Sequence, residues 1–315
     1  MNIYEQQASN RRMTWFIMAV FVAFFLFIGL GFDYFHQSFN PAGTPQYVWN
    51  NSGYYEAQSS SQPVPYGTII ALLVGFGMVL NSVFNGPAMV LRSTMARRAD
   101  PADPKEKQFI NVVAEMALAA GISPAPAAYV VPDPDLNAFA TGFSPADSVV
   151  AVTEGLLHTL NREELQGVVA HEMSHIRNYD IRLMTVTAAL IGAVALLSDL
   201  AGRSARYRSA GSSYRGSGSS SGGRGKNGGA LLLVIYAVWL IFVLLAPFLS
   251  RLLALAISRQ REYLADASGA ELTRNPISLA AALENIRGAV MPTKAVNNGV
   301  AHMCIADPRG SLIEE

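Results

Sequence analysis

The sequence predicts a mainly α-helical, polytopic membrane protein that carries a small α+β domain. Three observations support this. The chain is 51% hydrophobic but only 15% charged, and formally neutral, an unusual balance for a soluble domain. Its apolar residues are gathered into long uncharged runs. Between those runs, apolar residues recur first at helical spacing and then in short strand-like blocks.

Met13 to Leu30 is the first apolar run, and it is long enough to span a bilayer. Arg11 and Arg12 precede it, but only Gly31-Phe32-Asp33 follows, with no small-residue cleavage site, so it reads as an uncleaved anchor. Tyr66 to Phe84 is the second run. Residues 33 to 65 between them contain no Lys or Arg, whereas Arg92, Arg97, Arg98, Lys105 and Lys107 follow the second run. The positive-inside rule then puts the loop 33–65 outside and the rest of the domain in the cytoplasm. This expectation makes residues 1–92 an N-terminal membrane anchor.

Asp103 to Ala120 reads as an amphipathic helix with Phe109, Val112, Val113 and Met116 on one side. Ser123-Pro124-Ala125-Pro126 ends it. Ala127 to Val131 and Ser148 to Val152 read as strands, with Asn137 to Gly142 between them. An exposed edge strand in this region could hold an extended polypeptide through backbone hydrogen bonds.

Asn161 and Glu164 form a capping-box-like helix start. Leu165, Val168, Val169, Met173 and Ile176 continue it at helical spacing. Inside this helix lies His171-Glu172-Met173-Ser174-His175. Two His four residues apart share a helix face and can reach one zinc ion, and Glu172 beside them can take a proton from a water activated by that ion. A catalytic zinc takes three protein ligands and leaves one position open. Of the other His, His36 lies beyond a predicted span, His158 reads as a helix-surface residue, and His302 sits in an apolar segment. The sole Cys, Cys304, reads as a small buried hydrophobe and excludes a disulfide within the chain. Glu262 is the better candidate. It and Asp266 are four apart in Ser258-Arg259-Gln260-Arg261-Glu262-Tyr263-Leu264-Ala265-Asp266 and face the same way on a helix. One carboxylate can bind the metal while the other accepts a hydrogen bond from a ligating imidazole.

The two zinc half-sites flank an apolar excursion, residues 183–249. Leu183 to Leu197 is its first arm and Ala230 to Leu249 its second. Either both arms cross the membrane or neither does, because both half-sites must meet at one ion. The Gly/Ser-rich linker 202–228 carries five Arg and one Lys, which argues against export. A spanning hairpin is nevertheless expected, since Ala230 to Leu249 is hard to bury otherwise. The domain that carries the zinc half-sites is thereby split into residues 93–182 and 250–315.

Val131-Pro132-Asp133-Pro134, Asn137-Ala138-Phe139-Ala140-Thr141-Gly142, Val150 to Leu157, the His171 motif with Asn178 and Asp180, and Ser258 to Asp266 together resemble the HtpX-type membrane zinc metalloproteases. These are bacterial relatives of the CAAX prenyl proteases. The resemblance implies a zincin-like, gluzincin-type fold, one Zn2+ on His171, His175 and Glu262, catalysis by Glu172, and support of a zinc His by Asp266. It also implies substrate or oxyanion contacts at Asn137, Ala138 and Phe139. The implied activity is cleavage of misfolded or damaged membrane proteins and unfolded polypeptides, in the bacterial cytoplasmic membrane with the active site facing the cytoplasm. No nucleic-acid partner is expected. The family continues to a His-Pro-Pro segment with a nearby Arg, and this sequence stops at Ser311 to Glu315, where that segment is expected to begin. A C-terminal truncation is therefore expected, with the oxyanion-stabilising residue among the missing groups. The rival reading from another class is a non-catalytic zinc-binding membrane scaffold. A transporter is disfavoured, because the first, second and last apolar runs contain no ionisable residue.

Overall fold

The computed structural model describes residues 3–39, 46–49, 55–58, 64–194, 259–288 and 301–306. The predicted linker 202–228, the second hairpin arm 230–249 and residues 307–315 lie outside the described residues. The fold is mainly helical with one small mixed sheet, and it divides into two compact units.

One unit contains residues 18–79. Helix α1 runs Ile3–Phe39 and helix α2 runs Tyr66–Ser93. Both are longer than the apolar runs that predicted them, and both are long and apolar enough to cross a membrane. Within this unit Asp33 caps the start of α2: its carboxylate accepts from the Gly67 N–H, the Thr68 N–H and the Thr68 hydroxyl. A Cβ on Gly29 would stand 2.5 Å from the Thr68 Cα, so Gly at this position lets the two backbones approach. Phe27, Leu73 and Phe76 stay exposed, as lipid-facing side chains would. The stretch 33–65 holds more regular structure than a loop. α1 continues through it to Phe39, and β1 (Gln46–Trp49) pairs antiparallel with β2 (Tyr55–Gln58).

The other unit draws on residues 1–17, 80–197 and 246–315. Its sheet has the order β3-β4-β6-β5: β3 is Arg97–Arg98, β4 Ala127–Val131, β5 Ala138–Thr141 and β6 Val149–Thr153. The central pair β4 and β6 is parallel, and the two outer pairings are antiparallel. Helix α3 (Pro104–Ala120) begins at Asp103, the first residue of the predicted helix, which caps it by accepting from the Lys105 and Glu106 N–H groups. Glu106 of α3 takes both ends of the Arg97 guanidinium at 2.7 and 2.9 Å and so ties β3 to that helix.

Period-two alternation explains why β6 is buried throughout. Val150 and Val152 face Phe109, Val112 and Val113 of α3 and Val169 and Met173 of the motif helix α5 (Arg162–Arg177). Ala151 faces the opposite way, with Phe139, Val90, Met184 and Ala188. Residues 180–194 are helical and cover this second face. Leu183, Val186 and Leu190 are therefore buried in protein, so the described part of the predicted first hairpin arm packs beside the sheet. His158 lies exposed on α4 (Glu154–Thr159), as expected.

Strand β5 lies in the segment 137–142, where the sequence suggested an edge strand without giving its bounds. One buried side chain ties its start to β6. The buried Thr153 hydroxyl accepts from the Asn137 N–H, donates to the Asp135 carbonyl and receives the Leu156 N–H at the start of α4. Thr153→Val keeps the shape but removes these partners. It should cost about 1–3 kcal/mol of unfolding free energy, read by denaturant titration of the detergent-solubilised protein.

Candidate metal centre

The motif helix α5 is held at both ends. Asn161 accepts from the Glu163 and Glu164 N–H groups, and Glu164 accepts from the Asn161 N–H at 3.0 Å. At the far end the Asn178 N–H bonds the Ser174 carbonyl at 3.0 Å, and Tyr179 turns into the left-handed region at φ 59°. Everything from Gly167 to Ile176 is buried, including His171, Glu172 and His175.

A second helix, Arg259–Thr273, lies along α5. Gly269 sets how close it comes, since a Cβ there would meet the His171 backbone N at 3.1 Å. Glu262, Asp266 and Gly269 stand at helical spacing i, i+4 and i+7 and so form one stripe. That stripe brings the Glu262 Oε2 to 3.6 Å from the Nε2 of His171 and 3.6 Å from the Nε2 of His175. The two Nε2 atoms are 3.2 Å apart. Tetrahedral zinc with bonds of about 2.0–2.1 Å separates its donor atoms by about 3.3 Å, so the three spacings fit such an ion.

The outer ring nitrogens both face carboxylates. His175 Nδ1 is 3.0 Å from Asp180 Oδ2, and Asp180 is fully buried. His171 Nδ1 is 2.9 Å from Asp266 Oδ1, though the carboxylate lies off the axis of a good ring hydrogen bond. With their Nδ1 atoms turned to carboxylates, both rings direct Nε2 at Glu262, the arrangement a metal requires. Arg261, also buried, places its Nε 4.0 Å from Asp180 Oδ1 and balances part of that charge.

The electrostatics follow from burial and these carboxylates. Burial alone would depress His171, but Asp266 and Glu262 outweigh it and raise the imidazole. Burial likewise opposes the charge on His175, but Asp180 and Glu262 raise it to about 10. Burial would raise Glu262, but the two imidazoles hold it well below the usual carboxylate range. Glu172 shifts upward through burial, only partly offset by the imidazoles and by the Ala140 N–H facing it.

The other predicted contacts sit differently. Asn137, Ala138 and Phe139 are buried. The Asn137 amide donates to the Ala306 carbonyl at 3.2 Å, the Ala138 carbonyl accepts from the Ile305 N–H at 3.0 Å, and Phe139 bridges Cys304. These polar groups are thus engaged by the chain itself. Cys304 is half-buried in that pairing rather than enclosed in a core. His158 is not near the cluster, and among the described residues the metal-competent group is His171, His175 and Glu262. Asp180 and Arg261 had no separate role in the sequence reading. Asp180 follows the motif helix by a short turn and could have been suspected from that spacing. Arg261 carried no signal, because a basic residue beside Glu262 reads as helix surface.

The profile of peptidase family M48 matches residues 103–295. Over 98% of this chain, 38% of residues are identical to a protease HtpX homolog of Streptococcus gordonii, of which 91% is covered. A protease HtpX homolog of Streptococcus pneumoniae strain Hungary19A-6 is 39% identical with the same coverage. The chain belongs to peptidase family M48. It is a membrane protein and a metallopeptidase, and its likeness to the HtpX type, read from the motifs, is borne out.

His175, held at about 10, carries a proton in the metal-free protein at neutral pH, and an ion must displace it. Binding of zinc at pH 7 should therefore release at least one proton per ion, and affinity should rise with pH. Calorimetry in two buffers of different ionisation enthalpy measures the release. Without metal, the His175–Asp180 pairing stabilises the fold fully below the unfolded histidine value of about 6.5. That contribution is lost as pH climbs through about 10.

Proposed function

We propose that this protein is a zinc endopeptidase of the bacterial cytoplasmic membrane that cuts misfolded or damaged membrane proteins and other unfolded polypeptides. One observation supports it above others: three ligand atoms from two helices converge within 4.8 Å, with the carboxylate of Glu172 buried beside them. His171, His175 and Glu262 would hold the ion, and a zinc bound there would supply Lewis acidity to the scissile carbonyl and to water. Glu172 takes the proton from the attacking water and returns it to the leaving amine. Asp266 and Asp180 orient the two imidazoles.

The substrate lies extended along β5. Asn137 bonds toward β6, so alternation turns the Ala138 and Ala140 backbone groups to the free edge. Ala138 already bonds Ile305, which leaves the Ala140 carbonyl for a substrate N–H. Recognition through main-chain bonds suits substrates of varied sequence. Two apolar helices and the run of Arg and Lys flanking them support a membrane protein whose active site faces the cytoplasm.

Glu172→Gln should lower cleavage of an unfolded protein such as casein by about 10²–10⁴-fold while zinc content stays at one per chain. Unchanged cleavage with zinc bound would refute Glu172 as the base, and absence of cleavage by the unaltered protein would favour a scaffold.

A further inference from the structure

We propose that Asn10, on the first helix, is a positioning residue of the metal centre and acts through Asp180. This inference rests on the reading of His175 as a metal ligand.

Asp180 is fully buried, and one of its oxygens is committed to His175 Nδ1. A buried carboxylate needs donors on its other oxygen as well. Asn10 supplies one. Its side-chain amide donates to Asp180 Oδ1 and to the Asn178 carbonyl at 3.0 Å, so both amide hydrogens are spent on the turn that ends the motif helix. Asn10 is itself only 2% exposed. A buried polar side chain with both donors aimed at one turn is more than packing, since Leu would fill the same volume without desolvating an amide.

The rest of that helix face supports the contact. Gln7 donates to the Arg177 carbonyl at 2.9 Å, and the Arg11 guanidinium lies 4.3 Å from the Tyr179 ring centroid. The Thr14 hydroxyl bonds the Asn10 carbonyl at 2.8 Å. Positions 7, 10, 11 and 14 fall on one side of a helix. Gln7, Asn10 and Arg11 grip residues 177–180 while Thr14 bonds within its own helix, and of these only Asn10 reaches the carboxylate that fixes the His175 ring. Loss of its donor leaves Asp180 Oδ1 underpaired, frees the carboxylate to turn and loosens the orientation of the imidazole. The consequence falls on metal affinity and ligand geometry.

The test uses the full chain in detergent. Zinc affinity is read by competition with a chelator, and ligand geometry by the visible absorption of the cobalt-substituted protein. Asn10→Leu should weaken zinc about 10–100-fold and alter the cobalt spectrum. Asn10→Ser, which keeps one donor and folds more readily if the Leu variant does not accumulate, should show a smaller loss of the same kind. Gln7→Leu removes a grip on the same turn but not the bond to Asp180, and should leave affinity within about threefold of the unaltered protein, the spread that context alone produces. Unchanged zinc affinity and an unchanged spectrum in both Asn10 variants would overturn the proposal. An equal loss in Gln7→Leu would overturn it too, since helix docking would then be the cause. If His175→Ala also leaves zinc binding intact, the metal reading fails; if His175→Ala loses zinc while the Asn10 variants do not, only the role of Asn10 fails.

Discussion

Two buried imidazole nitrogens facing each other at 3.2 Å are the constraint on which the rest of the unit depends. Their lone pairs repel unless a positive charge lies between them, and burial makes that charge costly without carboxylates. Glu262 answers from the inside, and Asp180 and Asp266 answer from the outside. Each carboxylate in turn has to be delivered and held. The stripe Glu262, Asp266 and Gly269 explains the close approach of the second helix. Asp180 explains the turn after α5, and Arg261 tempers its charge. The sheet supplies the rigid floor: β5 lies on the Glu172 side, and the Thr153 hydroxyl locks β5 to β6.

How much of this was legible depended on whether the signal was local. Asp103 and Asn161 are caps with a fixed relation to the helix that follows, and both helices start where the sequence placed them. β4 and β6 are short blocks of Val and Ala, and they fall within a residue of expectation. β5 was suggested only as an edge strand without bounds, because Asn137 and Gly142 bracket only four residues and its pairing partner lies across a turn. β3 is two arginines, with no apolar pattern at all, and it exists because Glu106 draws it in.

The metal cluster itself was legible in part for the same reason. His171 and His175 announce a shared face by spacing alone, and Glu262 and Asp266 do likewise. What spacing could not give was the pairing between the two segments or the division of labour between the two acids. The structure sets Glu262 on both Nε2 atoms and Asp266 on one Nδ1. Asn10 was illegible because its partners are about half the chain away in sequence, and an Asn before a membrane run reads as ordinary flank. The helix at 180–194 carries a second use that spacing did not show: its apolar residues, which suit a bilayer, also cover the second face of the sheet.

The separation of the ligands along the chain has a consequence for biosynthesis. A ribosome delivers His171 and His175 well before Glu262 and Asp266. Until the later helix has emerged and docked, the early helix offers an ion only two nitrogens, and the affinity of a three-ligand site does not exist. The candidate three-ligand cluster thus takes shape only once the helix Arg259–Thr273 has been made and docked, so the gap between the ligands sets a delay between the two halves of the site.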